Sequence, residues 1–418
     1  MKKVLFILGN FFPEPSANSI CGMEIMQQLV SEGCEVHCIA NRFSGMNSHE
    51  LLHGVNIHRI PVPVKYDLVK KYNKSNKPFK KLLLRIALKM SNIYHLAASA
   101  LYFPFPSLWF CLAMRKKTKL LIKNHGIDTV ICVNQPMASL YVGIQLKKAT
   151  QQVNWIAYLL DPITNGFQHP WLSKSKADRK LRVLQEKVLS AFDLVIAQNE
   201  HKKLFLSAEN TPNKAKIYYL GAPLLAEKNV APTKLDTEKK IVIYAGGLSS
   251  TRSPEYIAKV FRYVQSAVLH IYTSNQSSWI KEIVVGSENI VLHSAIDRTE
   301  LLSIMKGADA LLSIGNTQSE YAPSKIIECI SFGKPLIATY RTNEDTCRSY
   351  MEKYPCGLYL DERRETVEDA AARIDAMLNS TTSEVVFSKI EEIYWDNTPQ
   401  AFVDVVKKTE ENGGREVL

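Results

Sequence analysis

The sequence predicts an α/β protein of two doubly wound, Rossmann-like domains, and three observations carry that prediction. At 418 residues the chain exceeds the usual ceiling for one hydrophobic core. Short apolar runs suited to parallel strands alternate with amphipathic stretches of helical length in both halves. Between the halves, 223–240 is poor in apolar residues and rich in Lys, Thr and Pro, which reads as a linker. The expected boundaries are therefore 1–225, 226–385 and a tail, 386–418.

Composition narrows the class. Hydrophobic content of 46% and charged content of 22% fit a globular chain and exclude a disordered one. The eight cysteines form no Cys-x-x-Cys pair, so reduced, structural thiols in a cytosolic protein are expected. The opening Met-Lys-Lys-Val-Leu-Phe-Ile-Leu-Gly is too short in its apolar part for a leader and lacks a small-residue cleavage site, so it is read as a first strand. The net charge of +11 is local. Residues 65–125 hold fourteen Lys and Arg against the single Asp67, leaving the rest of the chain slightly acidic and placing one basic patch on the first domain.

In chain order, Val4–Leu8, the loop 10–19, an amphipathic run from Ile20 to Glu32 and the strand Glu35–Ala40 make a βαβ opening. No Gly-x-Gly-x-x-Gly follows the first strand, which removes the main support for a dehydrogenase. Leu82, Arg85, Ile86 and Lys89 then recur at helical spacing. The 24 residues Ser91–Met114 carry no full charge, long enough for a membrane span. Pro104, Pro106, Asn92 and His95 interrupt them, so two helices meeting at 103–106 are expected instead. Two readings of this patch stand: an interfacial surface with Tyr102, Phe105 and Trp109 at lipid headgroups and lysines on anionic phosphates, or aromatics in the core and lysines in solvent. Strands follow at Asp128–Val133 and Asn154–Leu160, the latter ending on Asp161-Pro162. An acid at the carboxyl end of a strand is where open α/β sheets meet ligands; otherwise Asp161 caps a turn. His169 reads as a surface residue. Asp193–Ala197 and Ala215–Leu220 complete the domain.

The second half opens with the strand Lys240–Ala245, then Gly246-Gly247 and a helix from Pro254, an arrangement suited to phosphate. Further strands are expected at Val268–Thr273, Ile290–His293 and Ala308–Ile314. From Ser313 to Thr339 one βαβ unit carries a site. Pro323 suits a first helical position, Gly333-Lys334-Pro335 ends the helix, and Leu336–Thr339 is the next strand. Glu320 lies in the loop and Glu328 inside the helix, pointing about 200° from Ile326 and Ile330 and so free to meet a ligand. Ser324 and Lys325 occupy the first turn, where backbone N–H groups and the dipole favour a phosphate. The alternative is a solvated helix with chance acids.

Glu320-x7-Glu328 followed by Gly-Lys-Pro and a buried strand, the wording Pro-Ser-Lys-Ile-x-Glu, and Trp155-Ile156 with Asp161-Pro162 resemble the GT-B glycosyltransferases, specifically family 4 (group 1) of the bacterial surface-polysaccharide type. Tyr321-Ala322-Pro323 replaces the Gly-Phe-Gly usual between the acids, and Gly247 stands about where that family carries an Arg. The resemblance implies a cleft between the domains, an acceptor-side first domain, a donor-binding second domain and a tail crossing back to the first. It implies that Glu328 holds the donor ribose and Glu320 the donor sugar. Gly246, Gly247, Arg252 and Lys325 would serve the diphosphate, with Pro323, Ser324 and Ile326 at the helix start, and Asp161 would act from the first domain. His293-Ser294 lies in a turn that often reaches the nucleotide base in that family. The implied reaction moves a sugar from a nucleotide-sugar donor to an acceptor hydroxyl with retention, without metal or other cofactor.

Partners expected are that donor, a glycan or lipid-linked acceptor in envelope polysaccharide synthesis, and an anionic membrane surface met by residues 65–125, with the protein in the cytoplasm or peripheral at the inner face of the plasma membrane. No nucleic acid is expected, because the aromatics form one apolar block instead of alternating with basic residues. No Asp-x-Asp pair and no His/Cys cluster with ligand spacing is visible. The rival readings are a nucleotide-sugar 2-epimerase of the same fold and a non-enzymatic membrane or nucleic-acid binding module built on the basic patch.

Overall fold

The computed structural model describes all residues except 1, 14, 63, 76, 106, 165–168, 206–214, 276, 318–323, 381–383 and 412–418. It divides into two compact units, one of Met1–Pro223 with Pro399–Leu418 and one of Leu224–Thr398. Both are layered α/β structures.

The first unit is built on β1 (Lys3–Ile7), β2 (Glu35–Arg42), β3 (His49–Leu52), β4 (Val55–Pro61), β5 (Thr129–Val133), β6 (Asn154–Leu159), β7 (Leu194–Gln198) and β8 (Lys216–Leu220). Their order is β3-β4-β2-β1-β5-β6-β7-β8, parallel except where β3 runs against β4. In β5 and β7 every residue is buried, as expected of strands covered on both faces. At roughly 1.5–3 kcal/mol for each large apolar side chain removed from water, this layer dominates the unit's stability. The helix Ala17–Ser31 after β1 starts on a capping box between Ser16 and Ser19, satisfying two otherwise orphaned backbone donors. Helix Ala138–Leu146 carries Gly143 where an added Cβ would stand 2.1 Å from the Phe192 ring. Only glycine admits that ring.

The tail belongs to the same packing. Helix Pro399–Glu411 lies on Ala17–Ser31 through Lys407 with Glu32 at 2.5 Å and Gln400 donating to Glu32 at 2.9 Å. Its Phe402 packs on Tyr158 of β6 with ring centres 4.7 Å apart. Helix Phe387–Ile393 instead falls in the second unit, where Ile390 is buried and the following Tyr394 donates to the Tyr350 carbonyl at 2.6 Å.

Two helices, Pro78–Tyr102 and Leu108–His125, occupy the stretch that is long enough for a span. Among the described residues no helix is long and apolar enough to cross a membrane. Leu108–His125 buries Phe110, Cys111, Met114, Leu121 and Ile122, whereas Pro78–Tyr102 buries no residue.

The second unit is a six-stranded, fully parallel sheet: β9 (Lys240–Ala245), β10 (Ala267–Thr273), β11 (Ile290–Ser294), β12 (Ala310–Ser313), β13 (Leu336–Tyr340) and β14 (Gly357–Asp361), in the order β11-β10-β9-β12-β13-β14. Each sheet reverses its winding once, between β1 and β5 in the first and between β9 and β12 in the second. These are the positions at which successive loops splay apart and open a crevice at the carboxyl ends of the strands.

Candidate functional site

In the second unit the loops leaving β9 and β12 flank the reversal and are joined by the Thr317 N–H donating to the Thr251 carbonyl at 3.0 Å. The first of them carries the glycine pair. An added Cβ on Gly246 would stand 2.9 Å from the Tyr244 hydroxyl, which itself donates to the Gly247 carbonyl at 2.9 Å. A side chain at Gly246 would therefore push that hydroxyl from its bond. A Cβ on Gly247 would meet nothing within 4 Å, so open space lies beside the backbone where a ligand can approach. Arg252 is held by a two-way backbone bridge to Ser249, 3.0 and 3.1 Å. Its charge bears on Tyr244 and Asp345, and its Nε is buried without a hydrogen-bond partner.

Across the reversal, helix Ser324–Ile330 presents Ile326, Ile327 and Ile330 to the core, all fully buried. Ile326 is therefore a packing residue. Glu320 and Pro323 lie outside the described residues, as does the side chain of Ser324. Glu328 departs from expectation: it is only 5% exposed and is not free. Arg298 donates to Oε1 and Lys325 to Oε2, each at 2.7 Å. The helical angle does turn Glu328 away from Ile326 and Ile330, but Arg298 at the start of helix Arg298–Gly307 reaches over that face and closes it. Burial alone would raise the Glu328 pKa; Lys325 and then Arg298 outweigh it and hold the carboxyl at about 2. A carboxylate with two oxygens has about four lone-pair directions, so two cations leave acceptor capacity for hydroxyl groups. Lys325 serves Glu328 here rather than standing as an isolated phosphate cation. The sequence reading missed Arg298, which lies 30 residues upstream in a polar turn with no motif around it.

The neighbouring loop after β13 is fixed from below. The Gly315 N–H bonds the Thr339 hydroxyl at 3.1 Å, and that hydroxyl donates to Glu362 at 2.6 Å. Arg341 pairs with Glu362 at 2.8 Å and donates to the Ser253 carbonyl at 2.6 Å. An added Cβ on Gly315 would lie 2.5 Å from the Thr339 carbonyl oxygen. His293 of β11 stacks on Tyr272 and receives or gives a hydrogen bond with His270 at 2.9 Å.

In the first unit the corresponding crevice gathers three residues from three segments. Asp161 follows β6; its Oδ2 accepts from Asn18 Nδ2 at 3.0 Å, and its carbonyl accepts from Asn134 Nδ2 at 2.6 Å. Asn18 sits in the first turn of the helix after β1 and Asn134 just after β5. Asp161 therefore stands beside the reversal point, half-buried, held by the helix that follows β1 and by the loop that follows β5. Neither asparagine is singled out by the sequence.

His169, expected at the surface, is buried. Its Nδ1 accepts from the Trp171 N–H at 3.1 Å and its Nε2 pairs with Ser99 Oγ at 2.8 Å, tying this loop to helix Pro78–Tyr102. On that helix Phe79, Met90 and Tyr94 are each at least 70% exposed; Trp109 at the start of the next helix is also exposed. Phe105, which the interfacial reading would set beside them, packs on Tyr141 with ring centres 5.4 Å apart, as the core reading has it. It lines a hollow of about 300 Å³ with Phe103, Tyr141 and Ile144, bordered by Arg179 and Lys187.

Residues 226–391 match the family model "Glycosyl transferases group 1". No curated protein matches the chain at the sequence level. Among solved structures the chain is similar to WaaG, a glycosyltransferase involved in lipopolysaccharide biosynthesis, at 12% identity and TM-score 0.54, covering 96% of this chain and 99% of that one. It is also similar to Anabaena HepE in complex with UDP and glucose, at 12% identity and TM-score 0.56 over 98% and 100% of the two chains. A chain assigned as a UDP-N-acetylglucosamine 2-epimerase from Listeria monocytogenes aligns at 11% identity and TM-score 0.56, over 99% and 98%. At these identities the structures speak to the fold.

Proposed function

We propose that this chain, a glycosyltransferase of the GT-B fold whose second unit carries the group 1 domain, transfers a sugar with retention of anomeric configuration to a lipid-linked glycan acceptor during envelope polysaccharide synthesis. Sugar transfer from a nucleotide-sugar donor is the activity of the group, and the finer reading rests on the two crevices. The observation that carries donor binding is Glu328: a buried carboxylate held ionised by Arg298 and Lys325 beside the β9–β12 reversal, a fixed acceptor for the donor's ribose hydroxyls. Arg252 supplies cationic charge on the opposite lip, and the open space at Gly247 admits the diphosphate. In the reaction the bond from the anomeric carbon to the diphosphate oxygen breaks and the bond to the acceptor oxygen forms. Charge grows on the leaving diphosphate, and fixed cations there supply the stabilisation that usually contributes most. Arg252 fills that role in place of a metal, and Lys325 acts through Glu328, which it holds ionised. Asp161, held by Asn18, is the carboxylate that the first unit's own crevice offers to the acceptor.

The lipid-linked acceptor is supported by the unburied helix Pro78–Tyr102 and by the hollow at Phe103 and Tyr141. Lysines 77, 80, 81 and 89 on and beside that helix suit anionic headgroups, at about 1 kcal/mol for each charge near the surface. The protein would then work peripherally at the cytoplasmic face of a membrane. The test is a screen of nucleotide sugars with magnesium and manganese omitted, with and without a polyprenyl-linked acceptor, reading both glycosylated lipid and unreacted donor. Acceptor-dependent transfer supports the proposal. Isomerised nucleotide sugar in the absence of acceptor would replace it with an epimerase.

A further inference from the structure

Three histidines from separate segments of the first unit meet under the end of helix Leu108–His125: His37 of β2, His58 of β4 and His125, the helix's last residue. One ring nitrogen of each lies within 4.8 Å of one from each of the others. His37 Nδ1 and His58 Nε2 are 3.0 Å apart. The second nitrogen of His37 is 2.8 Å from Glu35 Oε1, so its N–H is taken by a carboxylate. Nδ1 is then left with a lone pair facing His58. His37 and His58 are buried and His125 partly exposed.

We propose that His37, His58 and His125 form a binding site for a transition-metal dication, zinc in the first place. Imidazole nitrogens are suitable ligands for such ions. A tetrahedral zinc with bonds of about 2.0–2.1 Å spaces its nitrogens roughly 3.3 Å apart, so the His37–His58 pair needs to open by only a few tenths of an ångström. The proton now shared between them is released or moves to the far side of the His58 ring. His125 closes the third corner by a ring rotation. It ends its helix, with Gly126 beyond it at φ 63°, and its Nδ1 already lies 3.8 Å from Glu35 Oε1.

Glu35 has the place of the carboxylate that commonly orients a metal-bound histidine, and its charge offsets part of the dication's. The fourth position is open to water or to exposed His49, whose ring centre is 5.0 Å from that of His58. Lys117 bears on His58, and Lys3, paired with Glu35 at 3.1 Å, bears on His37. Lys117 is half-buried with a pKa lowered by that burial, and its long side chain can turn to solvent. The site lies near the amino end of β2, whereas Asp161 stands at the carboxyl ends of the strands. It would therefore staple β2, β4 and the helix and take no part in transfer.

The test uses the untagged full-length chain, stripped with a chelator and dialysed against micromolar zinc. About one equivalent retained after desalting, a raised thermal midpoint, and tetrahedral visible bands on cobalt substitution are the expected results. His125→Asn and His58→Asn should lose all three. His270→Asn, which alters the histidine pair of the second unit, should keep them. His125 sits at a partly exposed helix end, so that variant remains folded even if His58→Asn does not. Sub-stoichiometric zinc in the wild type, undiminished zinc and cobalt bands in His125→Asn, or their loss in His270→Asn would overturn the proposal.

Discussion

Replacing Glu328 by Gln tests both the energetics of the donor site and its chemistry. The carboxyl moves from an ordinary 4.5 to about 2 in the folded protein. Each pKa unit is worth about 1.36 kcal/mol, so the folded state prefers the charged form by roughly 3 kcal/mol. Because the folded value is the lower one, that contribution is complete well above pH 4.5 and is lost as pH falls toward 2. At pH 3.5 about 2 kcal/mol of it remains. The side chains of Arg298 and Lys325 are 31% and 40% exposed, so solvent screens part of the interaction and lets both cations relax in the variant. A loss of about 1–3 kcal/mol at pH 7 is therefore expected for Glu328→Gln.

Denaturant unfolding of the full chain, wild type and variant, at pH 7 and 3.5 measures this, and the gap between the two proteins should narrow at the lower pH. Donor binding should weaken about tenfold or more, since hydrogen bonds to a charged acceptor exceed those to a neutral one by about 1 kcal/mol each. Equal stability at pH 7, or a gap that is the same at both pH values, would refute the ion-pair argument.

Asp161→Asn should keep the fold and the donor affinity while lowering turnover by a factor on the order of a hundred or more, a range typical of a positioned catalytic side chain; unchanged turnover would remove Asp161 from the mechanism. Gly315→Ala forces a Cβ to within 2.5 Å of a backbone carbonyl oxygen and should cost about 1–3 kcal/mol, read as a lower denaturation midpoint together with weaker donor binding. Charging the exposed helix face with Leu82→Glu, Ile86→Glu and Met90→Glu should leave unfolding within about 0.5 kcal/mol of wild type but abolish pelleting with anionic vesicles. Retained pelleting would place the membrane contact elsewhere.

The alternation of buried strands and helices was legible because parallel strands covered on both faces are continuous apolar runs; β1, β5, β7 and β9 are read directly from them. Strands β3 and β4 escaped that reading, since Val55–Pro61 carries His58 and Arg59 in buried positions. Those polar side chains are satisfied inside: Arg59 pairs with Glu50 and donates to the carbonyls of Phe12 and Asn41. Asp161 was legible from its place at a strand end, and Lys325 and Glu328 from their spacing. Their partners were not, because Asn18, Asn134 and Arg298 are brought in by sheet order, and neither type nor spacing marks them. The histidine triad is hidden for the same reason, its members standing 21 and 67 residues apart along the chain and meeting only through the neighbouring of β2, β4 and one helix end. His169 misled because a lone histidine in a loop resembles a solvated one, and its burial is decided by helix Pro78–Tyr102.

The order in which the chain leaves a ribosome gives the tail helix a further meaning. Everything from Leu224 to Thr398 emerges before Pro399–Glu411 can settle on Ala17–Ser31, so the first unit begins folding first and finishes last. Until then the helix face that receives Gln400 and Lys407, and the Tyr158 ring that meets Phe402, stay uncovered. A chain truncated after residue 398 and released should thus hold a completed second unit and a first unit that still exposes an apolar seam, the state in which a chaperone would find it.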